Sequence, residues 1–160
     1  MGRVVSKTTA LGDARDQRSS LYRYDERGNV TAELSAKGAE LYFADPSAER
    51  LEQLLETHAN RFEYNEANQL VKSIDANGHQ TLFIYDSMGR RTHQVNALGE
   101  VTETSYNSFA EVSSVKKYVG RVNVAALTGS DIRSNLLLQL AGIENVQQDS
   151  LTTFTYSALG

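Results

Sequence analysis

The chain is 160 residues long, carries a formal net charge of −4, is 40% hydrophobic and has no cysteine. That balance offers no basic face to displace the counterions of a nucleic acid, and it rules out disulfides and thiolate metal sites. No apolar run after Met1 has the length a membrane span needs.

Taken in order, the first complete pattern centres on Tyr24. An aromatic, Tyr22, stands two residues before it, with Asp25 one after, Gly28 four after, Ala36 twelve after and Gly38 fourteen after. The same ruler on Tyr64 returns Phe62, Asn65, Asn68, Ala76 and Gly78, and on Tyr85 it returns Phe83, Asp86, Gly89, Ala97 and Gly99. On Tyr106 it returns Asn107, Ala110 and Gly120, and Phe154, Tyr156 and Gly160 resume it near the end. Tyr64, Tyr85 and Tyr106 are spaced by 21 residues. Upstream, Met1-Gly2-Arg3 matches Met88-Gly89-Arg90, with Gly12 at the far end of that unit and Asp13 to Ser20 reading as a polar loop. Both termini therefore fall inside a repeat, and the chain is expected to be a slice of a longer array, 1–160, with repeats near 1–23, 24–45, 62–83, 83–104, 104–123 and 154–160.

An Asp or Asn that opens a four-residue turn accepts a hydrogen bond from the backbone two residues on, and a Gly or Asn that closes it enters left-handed space cheaply. Asp86-Ser87-Met88-Gly89 fits this, and Ala97-Leu98-Gly99, Ala76-Asn77-Gly78 and Ala36-Lys37-Gly38 read as a second turn of each unit. Two turns in 21 residues leave segments of strand length. The expected fold is mainly β: an antiparallel β-hairpin meander with turns at 65–68, 75–78, 86–89, 96–99 and 107–110, interrupted by two short helices. Period-2 geometry puts Phe83 and Tyr85 on one face, as it does Tyr22/Tyr24, Phe62/Tyr64 and Phe154/Tyr156, and these aromatics are expected to stack hairpin upon hairpin.

The first helical insertion is predicted over 46–59, with Asp45 at the N-cap, Pro46 at the first position and Leu51, Leu54, Leu55 and His58 on one stripe. The second is predicted over 130–141, capped by Gly129-Ser130-Asp131, with Ile132, Leu136, Leu137 and Leu140 as its apolar stripe. Both are expected to pack onto the neighbouring sheet.

No chemistry-bearing constellation emerges. Asp25 and Asp86 share a turn register in which Asn65, Asn107 and Ser157 substitute, which a catalytic acid would not tolerate. His58, His79 and His93 lack metal-ligand spacing. Ser105, Ser113 and Ser114 lack a nucleophile-elbow context, and Asp75-Ala76-Asn77-Gly78 is not followed by the remaining ligands of a calcium loop. The chain is expected to be no enzyme, with no catalytic, cofactor or metal site.

The core Tyr85-Asp86-Ser87-Met88-Gly89-Arg90, its partner Tyr24-Asp25-Glu26-Arg27-Gly28-Asn29 and the trailing Ala-x-Gly resemble the YD repeats of Rhs proteins, Tc-toxin B and C components and teneurins. The resemblance covers most of 1–123 and resumes at 154. It implies part of a spiralling β-sheet shell that encloses a toxin or effector segment of a larger, secreted or cell-surface bacterial polypeptide. The implied partners are the remaining repeats and that enclosed segment. The aspartyl self-cleavage signature of such shells is absent, because Asp45-Pro46 is followed by Ser47-Ala48. The alternative is a carbohydrate- or cell-surface-binding module. A wall would bury its tyrosines between hairpins, whereas a glycan platform would expose them.

Overall fold

The computed structural model describes residues 2–9, 18–129 and 131–157. The chain divides into two compact units, Met1–Gln80 and Thr81–Gly160. The first holds β1 (Arg3–Thr9), β2 (Arg18–Tyr24), β3 (Val30–Leu34), β4 (Ala59–Tyr64) and β5 (Leu70–Ile74), with α1 (Ala36–Ala44) and α2 (Ala48–Thr57) inserted between β3 and β4. Each of these strands pairs antiparallel with the next, so the expected meander is present. The second unit holds β6 (Gln80–Tyr85) from its second residue on, followed by β7 (Arg91–Val95), β8 (Val101–Tyr106), β9 (Val112–Lys117) and β10 (Ser150–Thr153), again paired in chain order. A 3-10 turn at Val124–Ala126 and α3 (Ile132–Ile143) lie between β9 and β10. Arg18 to Ser20, expected in a loop, begin β2, and Gly12 and Met1 lie outside the described residues.

A third helix, α1, was not expected. The Ala36-Lys37-Gly38 stretch reads as a turn by its glycine, yet Gly38 lies inside α1 and is buried. A Cβ there would stand 2.4 Å from Leu34 Cδ1, so this glycine lets the helix approach β3 rather than supplying a left-handed turn. Ser35 caps α1 and Ser47 caps α2, its Oγ accepting from the Arg50 N–H at 3.1 Å. Asp45, predicted as the N-cap of that helix, is instead the C-cap of α1, because a serine nearer the first helical turn reaches its free N–H groups.

In each unit the core is aliphatic and lies on one sheet face under the helices. In the first, Leu21, Ala32, Leu34 and Ala59 from the strands meet Ala39 of α1 and Leu54 and Leu55 of α2. In the second, Leu82, Ile84, Val95 and Val101 meet Val122, Leu127, and Leu136 and Leu140 of α3. Leu137, placed on the stripe by its spacing, is 46% exposed. Leu82 and Ile84 alternate with Phe83 and Tyr85, so the repeat aromatics occupy the opposite face.

The expected hairpin-upon-hairpin stack is not what the register of the described strands produces, and Tyr42 with Phe43, both on α1, form a ring pair instead. The cross-strand partners explain why: Tyr22 faces Glu33, Phe62 faces Ser73 and Phe83 faces Gln94. Aromatics fall on alternate strands, about 10 Å apart, beyond ring contact. Cations cover several rings instead, with Arg3 over Tyr24 at 5.7 Å, Arg91 over Phe83 at 5.5 Å and Arg90 over Tyr106 at 4.7 Å.

Candidate functional site

The repeat residues gather at six turns that share one hydrogen-bond scheme. Each is opened by Asp25, Asn65, Asp75, Asp86, Asn96 or Asn107, whose carbonyl accepts from the N–H three residues on, at 2.9 to 3.2 Å. One side-chain oxygen of the opening residue accepts two further backbone N–H groups. For Asp86 these are Met88 and Arg90, each at 2.9 Å; for Asn107 they are Phe109 at 2.9 Å and Glu111 at 3.0 Å. A backbone left-handed at the closing residue completes the turn: Gly28, Gly78, Gly89 and Gly99 have φ of 80° to 86°, and Asn68 and Ala110 take 58° and 65°. The turns at 75–78 and 96–99 thus open at Asp75 and Asn96, as expected, and they are built like those at 65–68, 86–89 and 107–110.

The remaining side-chain atom of the opening residue bonds the residue four places on, and the chemistry is matched. Where the opener is Asp, the partner donates: Asn29 to Asp25 at 2.9 Å, His79 beside Asp75 at 3.1 Å and Arg90 to Asp86 at 2.7 Å. Where it is Asn, its amide donates to an acceptor: Gln69 at 2.7 Å, Glu100 at 2.8 Å and Glu111 at 2.7 Å. All three turn carboxyls are held below the ordinary carboxylate range, Asp25 chiefly by the Asn29 side chain, Asp75 by the His79 N–H and Asp86 by the Arg90 N–H. Tyr24, Tyr64, Tyr85 and Tyr106 each mark a register shift with the following strand, a bulge that increases local twist. Thr31 and Thr92, beside two of these bulges, donate their hydroxyls to the Arg23 and Ile84 carbonyls.

The RHS repeat family model matches residues 64–101, which run from the Tyr64 bulge through four of these turn openers. Residues 64–101 carry the Rhs repeat pattern. No curated protein matches the chain. The repeat is a structural module, and each of the six turns repeats one local solution. Of the other residues the motif singled out, Gly120 meets Ile143, whose Cβ a side chain there would approach to 2.7 Å. Tyr156 follows β10 and donates its hydroxyl to the Val112 carbonyl at 3.0 Å, while Gly160 lies outside the described residues.

The Rhs ruler gave no sign of a polar cluster in the second unit. Glu103 on β8 accepts from the Tyr118 hydroxyl at 2.6 Å and stands opposite Lys116 on β9. Lys116 in turn contacts Glu144 and, at 3.6 Å, Asp149, and it lies over the Tyr118 ring. The Asp149 side chain is 2% exposed and accepts from the Val119 and Asn145 N–H groups. Burial, followed by the Glu103 hydrogen bond, raises the Tyr118 hydroxyl well above its ordinary pKa, and Glu144 raises Lys116. The cluster therefore ties the segment after α3 to β9. On the same face, His93 of β7 is the one buried polar residue among those described. Its signal in the sequence was weak: a histidine between Thr92 and Gln94 in a strand reads equally well as solvated. Among the described residues, no group of three or more His, Asp or Glu side chains is arranged to hold a metal ion.

Proposed function

We propose that this chain is a non-enzymatic wall segment of a larger Rhs shell, whose further repeats and enclosed effector or toxin segment lie on the same parent polypeptide, secreted or displayed at a bacterial surface. The observation that carries this reading is the uniformity of the six turns. A ribbon whose turns share one hydrogen-bond scheme extends without new local chemistry, as a container wall requires. Strand pairing satisfies the backbone, and the aliphatic face of each unit is sealed by its own helices. The other face, with half-buried tyrosines under arginines, stays available to a cargo. Limited proteolysis of the parent polypeptide tests this: an enclosed segment resists cleavage while the wall is intact and becomes susceptible when turns are disrupted. Equal cleavage of that segment in both states overturns the reading.

A second reading, binding of a glycan or cell-surface partner, has one specific support. Beside β8 and β9 lies a cleft of about 420 Å³ lined by Gln94, Asn96, Glu100, Thr102, Lys117 and Arg121, a mixture of amide, hydroxyl and charge that suits a polyhydroxylated ligand. The wall reading is preferred because Tyr24, Phe83 and Tyr106 already have a cation over the ring, leaving those rings less free to stack on a sugar. Glycan-array binding that is lost on Lys117→Ala would favour the second.

A further inference from the structure

Tyr106 donates its hydroxyl at 2.8 Å to the carbonyl of Arg91, the residue six after Tyr85, and Tyr156 donates at 3.0 Å to Val112, the residue six after Tyr106. The segment from β10 to Tyr156 therefore docks on its neighbour as a strand that leads into a turn. Arg3 covers Tyr24 as Arg90 covers Tyr106, and Gly2-Arg3 repeats Gly89-Arg90, so β1 is a strand that leaves a turn. Among the described residues β1 pairs with β2 alone and β10 with β9 alone. Each thus offers an outer edge on which another strand can pair, and the two edges come from opposite halves of a hairpin.

The hairpins at Tyr24, Tyr64, Tyr85 and Tyr106 fix the register such an edge accepts. In each, the tyrosine pairs with the residue six on and the residue before it with the one eight on from the tyrosine, as Tyr85 with Arg91 and Ile84 with His93. Counted from the Gly2-Arg3 match, the same rule sets Val4 opposite Tyr156, Ser6 opposite Thr155 and Lys7 opposite Phe154. The side chains suit that register. Tyr156 is 53%, Phe154 45% and Val4 36% exposed, and the pairing gathers all three on one face. Lys7 would stand across from the Phe154 ring, a position that Glu33, Ser73 and Gln94 hold opposite Tyr22, Phe62 and Phe83. We propose that β10 of one copy of this chain pairs antiparallel with β1 of a second copy in this register, completing across two molecules the hairpin that each edge holds in half. The contact is heterologous, since each copy brings a different edge to it. The shell reading gives these edges to flanking repeats of the parent; the pairing of copies rests on the register alone, and its test involves no cargo.

The chain has no cysteine, so introduced thiols report the register without background. Thr155→Cys chains mixed with Ser6→Cys chains in a glutathione redox buffer should form a mixed disulfide, because cross-strand partners lie within the roughly 4.4–6.8 Å between Cα atoms that a disulfide spans. Thr155→Cys mixed with Lys7→Cys, whose thiols fall on opposite faces of the joined sheet, should give at least about tenfold less. Sedimentation of the unsubstituted chain, which needs no variant to fold, should show an average mass that rises with concentration. Equal disulfide yields in the two mixtures, a Thr155→Cys chain that cross-links chiefly with itself through a β10-to-β10 contact, or a strict monomer at every concentration would each overturn the proposal.

Discussion

Asn107 and Asp86 occupy the same turn position with opposite partners, and the difference is a single exchange of amide for carboxylate. Asn107→Asp would place a carboxylate against Glu111, whose oxygen now accepts the Asn107 amide. Two like charges at hydrogen-bond distance repel, so this variant should be less stable than the parent at neutral pH in urea unfolding, and the difference should shrink as pH falls toward about 4 and one group protonates. Adding Glu111→Arg should restore stability by recreating the Asp86–Arg90 arrangement. The native turn aspartates run the other way: their lowered pKa values contribute stability that is present above the ordinary carboxyl value and lost as pH falls through the folded ones. The glycines separate equally sharply. Gly78 and Gly99 share a left-handed φ, but a Cβ at Gly78 meets nothing within 4 Å, whereas at Gly99 it would stand 2.2 Å from the Val122 carbonyl oxygen. Gly78→Ala should cost about 1 kcal/mol from backbone strain alone. Gly99→Ala should cost on the order of 3 kcal/mol or more, because the Val122 N–H that bonds the Gly99 carbonyl must also move. Equal unfolding midpoints for the two variants would show that the close approach carries no energy.

The helices differ in how they are held, and substitutions should expose it. In an exposed helix a glycine replaced by alanine gains up to about 1 kcal/mol. At Gly38 of α1 the added methyl runs into Leu34, so Gly38→Ala should destabilise, and only pairing it with Leu34→Ala should recover part of the loss. A stabilised single variant in thermal unfolding would mean that α1 stands further from β3 than the packing of Leu34 requires. Leu136 is fully buried where α3 crosses the second core, and Leu136→Ala should cost roughly 2–5 kcal/mol through lost burial and the cavity left behind. Leu138, exposed on the same helix, should tolerate alanine with little change.

At the scale of the whole chain, each unit has a separate aliphatic core, and the two share no residue. Leu54→Ala in the first and Leu136→Ala in the second should therefore add, with a coupling below about 0.5 kcal/mol in a double-mutant cycle. A larger coupling would show that the cores communicate. Within each unit the meander also keeps strand contacts local in sequence, since strands pair with their chain neighbours even where a helix intervenes. Such low-order topologies fold quickly for all-β chains.

The turns were legible in the sequence because their chemistry is local. An Asx oxygen reaches N–H groups two and four residues on, and a glycine admits positive φ, whatever the rest of the molecule does. The antiparallel meander and the positions of five turns between Asn65 and Ala110 followed from that. Three matters needed the tertiary structure. Gly38 carries the same letter as Gly99 but is fixed by its approach to Leu34, so a turn signal there concealed a helix. The aromatic pairs repeat so regularly that they look like the core, yet they sit on alternate strands too far apart to touch, and the aliphatic residues between them meet the helices instead. The burial of His93, a histidine flanked by Thr92 and Gln94 in a strand, is likewise not set by its own neighbours in sequence. A residue's own sequence neighbourhood sets its backbone shape, whereas which face is dry is set by what packs on it from a distance.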